Sequence, residues 1–441
     1  MTGLTHTQTT VLRDIFRAAP VAAVYNLEKA LAGEVDGGGA MAAVYALVAQ
    51  EADVRRVRSA VFGPIAAVCC PTKSRALRFP GRTLSTLWEA LRTTQPGLAS
   101  VAEGFRGRDD PGAADVYNQL CAAGAEGLRE RGDDFLPAVE VLEASSPAAL
   151  DEFAKYLDLA PLARDALARL PEWVGRLTEE RAAAARIAYK DAVALADDAG
   201  PRYFEILYAN LPEPWLILRV LSAVMDRPTD NYVAVSELGH FGEYVMEDID
   251  RQLEVFRKFN PDEGREAGLA AGEVIHNAAQ QIAEFESQIE LSKEGPWARR
   301  LVKQRQTMAL LAETRYAQIE KALDGALPLQ MVKFGKGLKG HPKLSMDPDP
   351  RLMLRTDGLL GFFDHSRNYA SQSGFGAARA KMAEKIDARL DQYVEDLLEM
   401  LRAEEFSDLD RVRAYLEVTA DIMEAVRGDK AAQFVRRRAA A

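Results

Sequence analysis

Ile275-His276-Asn277-Ala278-Ala279-Gln280-Gln281-Ile282-Ala283-Glu284-Phe285-Glu286-Ser287-Gln288-Ile289 places apolar residues at Ile275, Ala278, Ile282, Phe285 and Ile289, in alternating steps of three and four. Such steps stay on one face of a helix, whereas a strand alternates every second residue, so the stretch predicts a coiled-coil-like helical seam. Outward from it the same spacing continues until Asn260-Pro261 on one side and Gly295-Pro296 on the other. These breaks bound helices over about 230–259, 262–293 and 296–323, each about 45 Å long. Short breaks and matched lengths predict an antiparallel three-helix bundle.

Helical spacing extends over most of the remaining chain. Val11, Ile15, Ala18 and Ala22 predict a first helix ending before Gly33, and the Asp36 to Gly39 turn leads to a second over about 41–60, making a hairpin. Pro64 to Cys70 reads as a buried irregular piece. Helices follow over about 83–94, 111–131 and 147–157, and a long one over 171–198 carries Trp173, Leu177, Ala184, Ala188 and Leu195 on one stripe. Tyr203 to Val224 is apolar nearly all round and belongs in the centre of a core. Beyond Pro350 a helix to about 368 is followed by two more, one marked by Met382, Ile386, Leu390, Val394, Leu397 and Leu401 and the other by Leu409, Val412, Leu416, Met423 and Val426. Ser407 and Asp410 resemble a capping box for the last of these, and Gly428 is its stop. No repeat of fixed period appears, which disfavours a solenoid.

The expected fold is therefore all-α: multi-helix bundles with a long central antiparallel helical bundle and no significant sheet. The expected domains are an N-terminal multi-helix domain over 1–200, the central long-helix bundle over 201–325, a Gly/Pro/Lys loop or linker over 326–350 and a C-terminal helical domain over 351–441.

Composition narrows the function classes. A formal charge of −11 from 55 basic and 66 acidic residues argues against a protein that coats nucleic acid, which needs clustered Lys and Arg. Cys69, Cys70 and Cys121 form no C-x-x-C pair, so neither a disulfide framework nor a thiolate zinc site is expected, which fits a reducing cytoplasm. The N-terminus lacks the basic and apolar regions of a secretory signal, and charge-free windows fall short of the ~18 residues that span a bilayer. Abundant alanine and arginine resemble the bias of a bacterial genome rich in G and C.

Four groups of residues could carry chemistry. Glu237 to His240 and Glu273 to His276 are two Glu-x-x-His steps on consecutive helices, the spacing that di-iron carboxylate bundles use for ligands on one helical face. Both lie beside the apolar stripes (Leu238, Val245, Ile249; Ile275, Ile282, Phe285) rather than on them, which favours solvated rim positions. Gly335-Lys336-Gly337-Leu338-Lys339-Gly340 has G-x-G-x-x-G spacing, yet Pro342 blocks the helix that a dinucleotide fold requires there. The same segment puts Lys333, Lys336, Lys339 and Lys343 on one short loop, where cations and free backbone N–H groups could hold a phosphate or an anionic membrane surface.

Phe362, Phe363, Tyr369 and Phe375, around the Ser371 to Gly376 turn, are the candidate exposed contacts for a protein partner, set against packing within the C-terminal helices. Asp364-His365-Ser366 has the residue types of a triad but on one helical turn, where side chains point apart. Cys70 and Cys121 sit in apolar, alanine-rich surroundings that favour inert thiols. Arg427, Lys430 and Arg436 to Arg438 form a basic tail without interleaved aromatics, a weak nucleic-acid footprint. No G-x-S-x-G, H-E-x-x-H or P-loop motif occurs.

The reading that follows is a non-enzymatic cytoplasmic scaffold or adaptor without a cofactor. It binds other proteins through helical surfaces, with homo-oligomerisation in view. Two alternatives remain at this point: a helical metalloprotein using Glu237, His240, Glu273 and His276, and an anion- or membrane-surface module using the lysines.

Overall fold

The computed structural model describes residues 4–32, 39–70, 79–105, 107, 110–225, 227–334, 337–403 and 408–440. The chain divides into two compact units, Met1–Asp226 and Arg227–Ala441. It is all-α, as the spacing predicts; a two-stranded ribbon is the only sheet among the described residues.

In the first unit α1 (His6–Ala18) starts at a capping box in which Thr5 and Gln8 satisfy each other's backbone N–H groups. α1, α2 (Val21–Leu31) and α3 (Ala40–Val61) meet through Phe16, Val24, Val48 and Ala52, a small cluster of their own. The exposed carbonyls at helix C-termini are then closed by arginines, whose several N–H donors suit a set of converging oxygens. Arg55 donates to the carbonyls of Phe16, Arg17 and Ala19 while holding Glu51 at 2.7 Å. Arg164 does the same for the end of α3, donating to the carbonyls of Ala60 (2.9 Å) and Val61 (2.7 Å).

The short α4 (Gly63–Ala66) leads, across 71–78, to α5 (Thr83–Thr94), α6 (Pro96–Gly104), α7 (Ala113–Glu130) and α8 (Leu136–Glu143). α9 (Ala149–Trp173) differs from the sequence expectation of a break before Pro171: it runs through Pro161 and Pro171. A proline costs a helical hydrogen bond, and here the buried face of Phe153, Leu157, Ala160 and Ala163 against α7 and α11 (Ala199–Asn210) holds the helix regardless. The break falls instead at residues 174–178, where Thr178 caps α10 (Glu179–Val193); of the expected stripe, Trp173 is buried but Leu195 is exposed. α11 is buried from Tyr203 to Ala209, and with α12 (Ile217–Val224) it belongs to this unit.

The second unit opens with α13 (Asp230–Val233) and α14 (Gly239–Arg257). The single helix expected over 230–259 is interrupted because Ser236 turns its hydroxyl back to the Val233 carbonyl at 2.7 Å. α15 (Arg265–Gln288) returns antiparallel, and α16 (Pro296–Ala326) runs parallel to α14, its Gln304 donating to the Met246 carbonyl at 2.9 Å and its Arg300 bridging Glu243 and Asp250. All five seam residues from Ile275 to Ile289 are buried.

The stretch 326–350, expected as a loop, folds instead into a hairpin of β1 (Leu329–Phe334) and β2 (Gly337–Pro342). α17 (Pro350–His365) then crosses α15 at close range. A Cβ on Gly268 would sit 2.0 Å from the Gly358 carbonyl oxygen, and one on Gly361 2.6 Å from that of Arg265. Only glycines allow this approach. α18 (Gly376–Ala403), α19 (Leu409–Arg427) and α20 (Asp429–Ala440) complete the unit. Ser407 lies outside the described residues; Asp408 is the residue that caps α19, accepting from the Arg411 N–H.

Candidate functional site

The two Glu-x-x-His steps have different surroundings. Glu237 precedes α14, and its carbonyl lies 2.9 Å from Nδ1 of His240, so that step closes a local turn. His240 then packs on Phe241 and Tyr244. On α15, Glu273 reaches across to the end of α17 and meets Nε2 of His365 at 3.2 Å. The His276 ring tilts against Tyr369 with centroids 4.8 Å apart, and the Tyr369 hydroxyl donates to the Gly272 carbonyl at 2.8 Å. His276 and His365 stand 6.3 Å apart, edge to face. With Asp364, Arg367 and Asn368 they line an open cleft of about 480 Å³.

Gly272 lets His365 pack this close to α15: a Cβ there would lie 2.6 Å from the Cβ of His365. Nε2 of His365 faces the Glu273 carboxylate, and Nδ1 lies on the other side of the ring. That atom is buried without a hydrogen-bond partner, as is Nδ1 of His276. A carboxylate-held imidazole beside a second imidazole is a residue set that acid–base chemistry uses. The adjacent hydroxyl takes no part, because Ser366 Oγ is bonded to Tyr316 (2.6 Å) and to the Phe363 carbonyl (2.8 Å).

Among the described residues, no three His, Cys, Asp or Glu side chains gather to hold a metal ion. Glu237 and His240 sit near the start of α14, whereas Glu273 and His276 lie in the middle of the antiparallel α15, so the steps are out of level. They do not form the four-ligand set their spacing suggested.

Two of the four lysines lie on the strands of the ribbon and a third follows it. Lys336 lies outside the described residues; Lys333 pairs with Leu338 in the ribbon and Lys339 with Val332, positions out of phase by one residue. Lys343, exposed, follows β2 with its backbone N–H on the Pro328 carbonyl.

Phe362, Phe363, Tyr369 and Phe375 are buried, which removes them from any contact surface. Phe362 stacks on Tyr316 at 5.5 Å and tilts on Phe256 at 4.9 Å, and Phe363 and Phe375 meet Tyr316 edge-on. Their neighbourhood is dry enough that burial pushes the Tyr316 hydroxyl up to about 12, against a smaller opposing effect of its bond to Ser366.

Burial likewise pushes the thiols of Cys69 and Cys121 up to about 12, so neither is a nucleophile at neutral pH. Three of the five cations of the basic tail are paired within the fold: Arg436 with Glu417, Asp421 and Glu424, Arg438 with Glu395, and Arg427 with Asp387 and Asp391.

His365 escaped the sequence reading as a partner of Glu273, since only the helix crossing joins them. Gly264, Gly268 and Gly272 at four-residue spacing were the available signal for that crossing. Compared with known protein families, with curated proteins and with solved structures, the chain matches none.

Proposed function

We propose that the chain is a non-enzymatic cytoplasmic scaffold or adaptor that meets other proteins through its helical surfaces and its hairpin arm. The hairpin carries this reading. Met331 is 63% exposed and Val332 44%, and Met346 just beyond is 73% exposed. Apolar side chains in the open on a two-stranded ribbon favour contact with a partner, by side-chain burial or by strand addition at an edge. The three free cysteines suit a reducing compartment, and no helix among the described residues is long and apolar enough to cross a membrane.

Light scattering and affinity capture on wild type and on a Met331→Asp, Val332→Asp variant test the proposal. A complex that forms with wild type and is lost in the variant, at equal helical signal, supports it. Equal association by both proteins, or a wild type that stays monomeric and captures nothing, sinks it.

A second reading is favoured by one observation, the Glu273–His365 contact beside His276: acid–base chemistry on a small molecule in that cleft. A turnover screen with wild type and His365→Gln decides it, and any activity untouched by the substitution excludes this site as its source.

A further inference from the structure

Glu51, Val54 and Arg58 recur at steps of three and four on α3 and so share a face. That face, Thr86 and Glu89 of α5, Arg17 at the end of α1 and Asp134 ahead of α8 line a pocket of about 410 Å³, within the range of small-molecule sites.

Arg55, one turn before Arg58, shows what a guanidinium withdrawn from water needs: a carboxylate and three carbonyls receive its protons. Arg58 is half-buried and makes no hydrogen bond or ion pair with any described residue. Burial, and then the neighbouring Arg55 charge, push its guanidinium below the usual arginine range. The charges of Glu51 and Glu89 reach Arg58 but offset less than burial and Arg55 impose, and neither acid bonds to it: Glu51 holds Arg55 at 2.7 Å and Glu89 stands 3.9 Å from Arg92. Arg17 and Asp134, both exposed at the pocket's edge, are also without an ion pair among the described residues and stay open to a ligand. A charge partly withdrawn from water gains from a partner, and a planar fork of N–H donors matches a carboxylate in two parallel hydrogen bonds.

We infer that this pocket binds a small zwitterion of the α-amino acid class, its carboxylate on Arg58 and its ammonium group toward Asp134 or Glu89. A dianion such as phosphate fits less well, because Glu51, Glu89 and Asp134 share the pocket wall. A ligand carrying both charges supplies the acceptor that Arg58 lacks and a cation for the acidic side.

Calorimetry on the full chain at pH 7 tests this with four probes: the free proteinogenic amino acids, their carboxamides, their N-acetyl derivatives and inorganic phosphate. At least one free amino acid is expected to bind, with its carboxamide and its N-acetyl form each weakened about tenfold or more. Arg58→Met weakens that binding about tenfold or more, and Arg58→Lys, which keeps the charge but loses the fork, by less. Without ligand, Arg58→Met melts at or above the wild-type temperature, because it replaces an unpaired cation with an apolar side chain. The inference is overturned if no amino acid binds, if a carboxamide binds as tightly as its acid, or if phosphate binds best. It fails equally if Arg58→Met retains binding, or if its ligand-free melting temperature falls and so marks Arg58 as a structural cation.

Discussion

Phe362 and Phe363 end a helix beside a Ser- and Gly-rich turn, and Met331 and Val332 lie in a Gly-, Lys- and Pro-rich stretch; the aromatic pair is buried and the aliphatic pair exposed. Composition of the flanking sequence pointed the other way in both places. What decides burial is whether another element arrives. α17 lies between α15 and α16, so its last turn is roofed by Tyr316, Phe256 and Phe375. The two strands of the hairpin pair with each other, and Met331 and Val332 stay uncovered.

If the contrast is correct, substitutions in the two places must differ in kind. Phe362→Ala removes a fully buried ring and is expected to cost about 3–5 kcal/mol, read as the midpoint shift in urea unfolding followed by circular dichroism. Gly268→Ala tests whether the α15–α17 approach really is that close. Its Cβ collides with the Gly358 carbonyl, and a loss of roughly 1–3 kcal/mol is expected despite the better helix propensity of alanine. A neutral result there would mean that the helices sit further apart.

Tyr316→Phe deletes only the hydroxyl that meets Ser366 and leaves the rings in place, so the expected loss is about 1 kcal/mol. Ser366 keeps its bond to the Phe363 carbonyl. Met331→Asp touches nothing packed, and a change within about 0.5 kcal/mol is expected. A large loss from that last substitution would erase the distinction between the two regions.

The legible part of the fold was the part written in local periodicity. Ile275, Ala278, Ile282, Phe285 and Ile289 are all buried because a seam needs only its own spacing to declare itself. The hairpin was hidden for the complementary reason. Leu329-Gln330-Met331-Val332-Lys333-Phe334 shows no clean alternation, and the exposed Met331 and Val332 fall on successive positions, so neither face carries a purely apolar row. Pro171 reads as the start of a helix, yet long-range packing holds α9 through it and through Pro161.

The cleft was half legible. Glu273 and His276 were recognised on one helix, but His365 comes from another, and Tyr369 was singled out as a surface contact rather than as the ring under His276. Arg58 was not legible at all, because a cation on a helix face discloses nothing about whether the fold brings it an acid.

The Arg55 clamp has a consequence for exchange with solvent. α1 and α2 rest on Phe16, Val24, Val48 and Ala52, on the Arg55 guanidinium at the end of α1 and on the Arg56–Glu28 pair at α2, a small foundation beside the twelve buried residues of α9. When Arg55 lets go, the carbonyls at the end of α1 lose their donors together, so the two helices open as one event and not by fraying from the tip. Their amides will take up deuterium in a single early phase, well before those of α9, and Arg55→Lys will speed that phase while leaving the later ones in place.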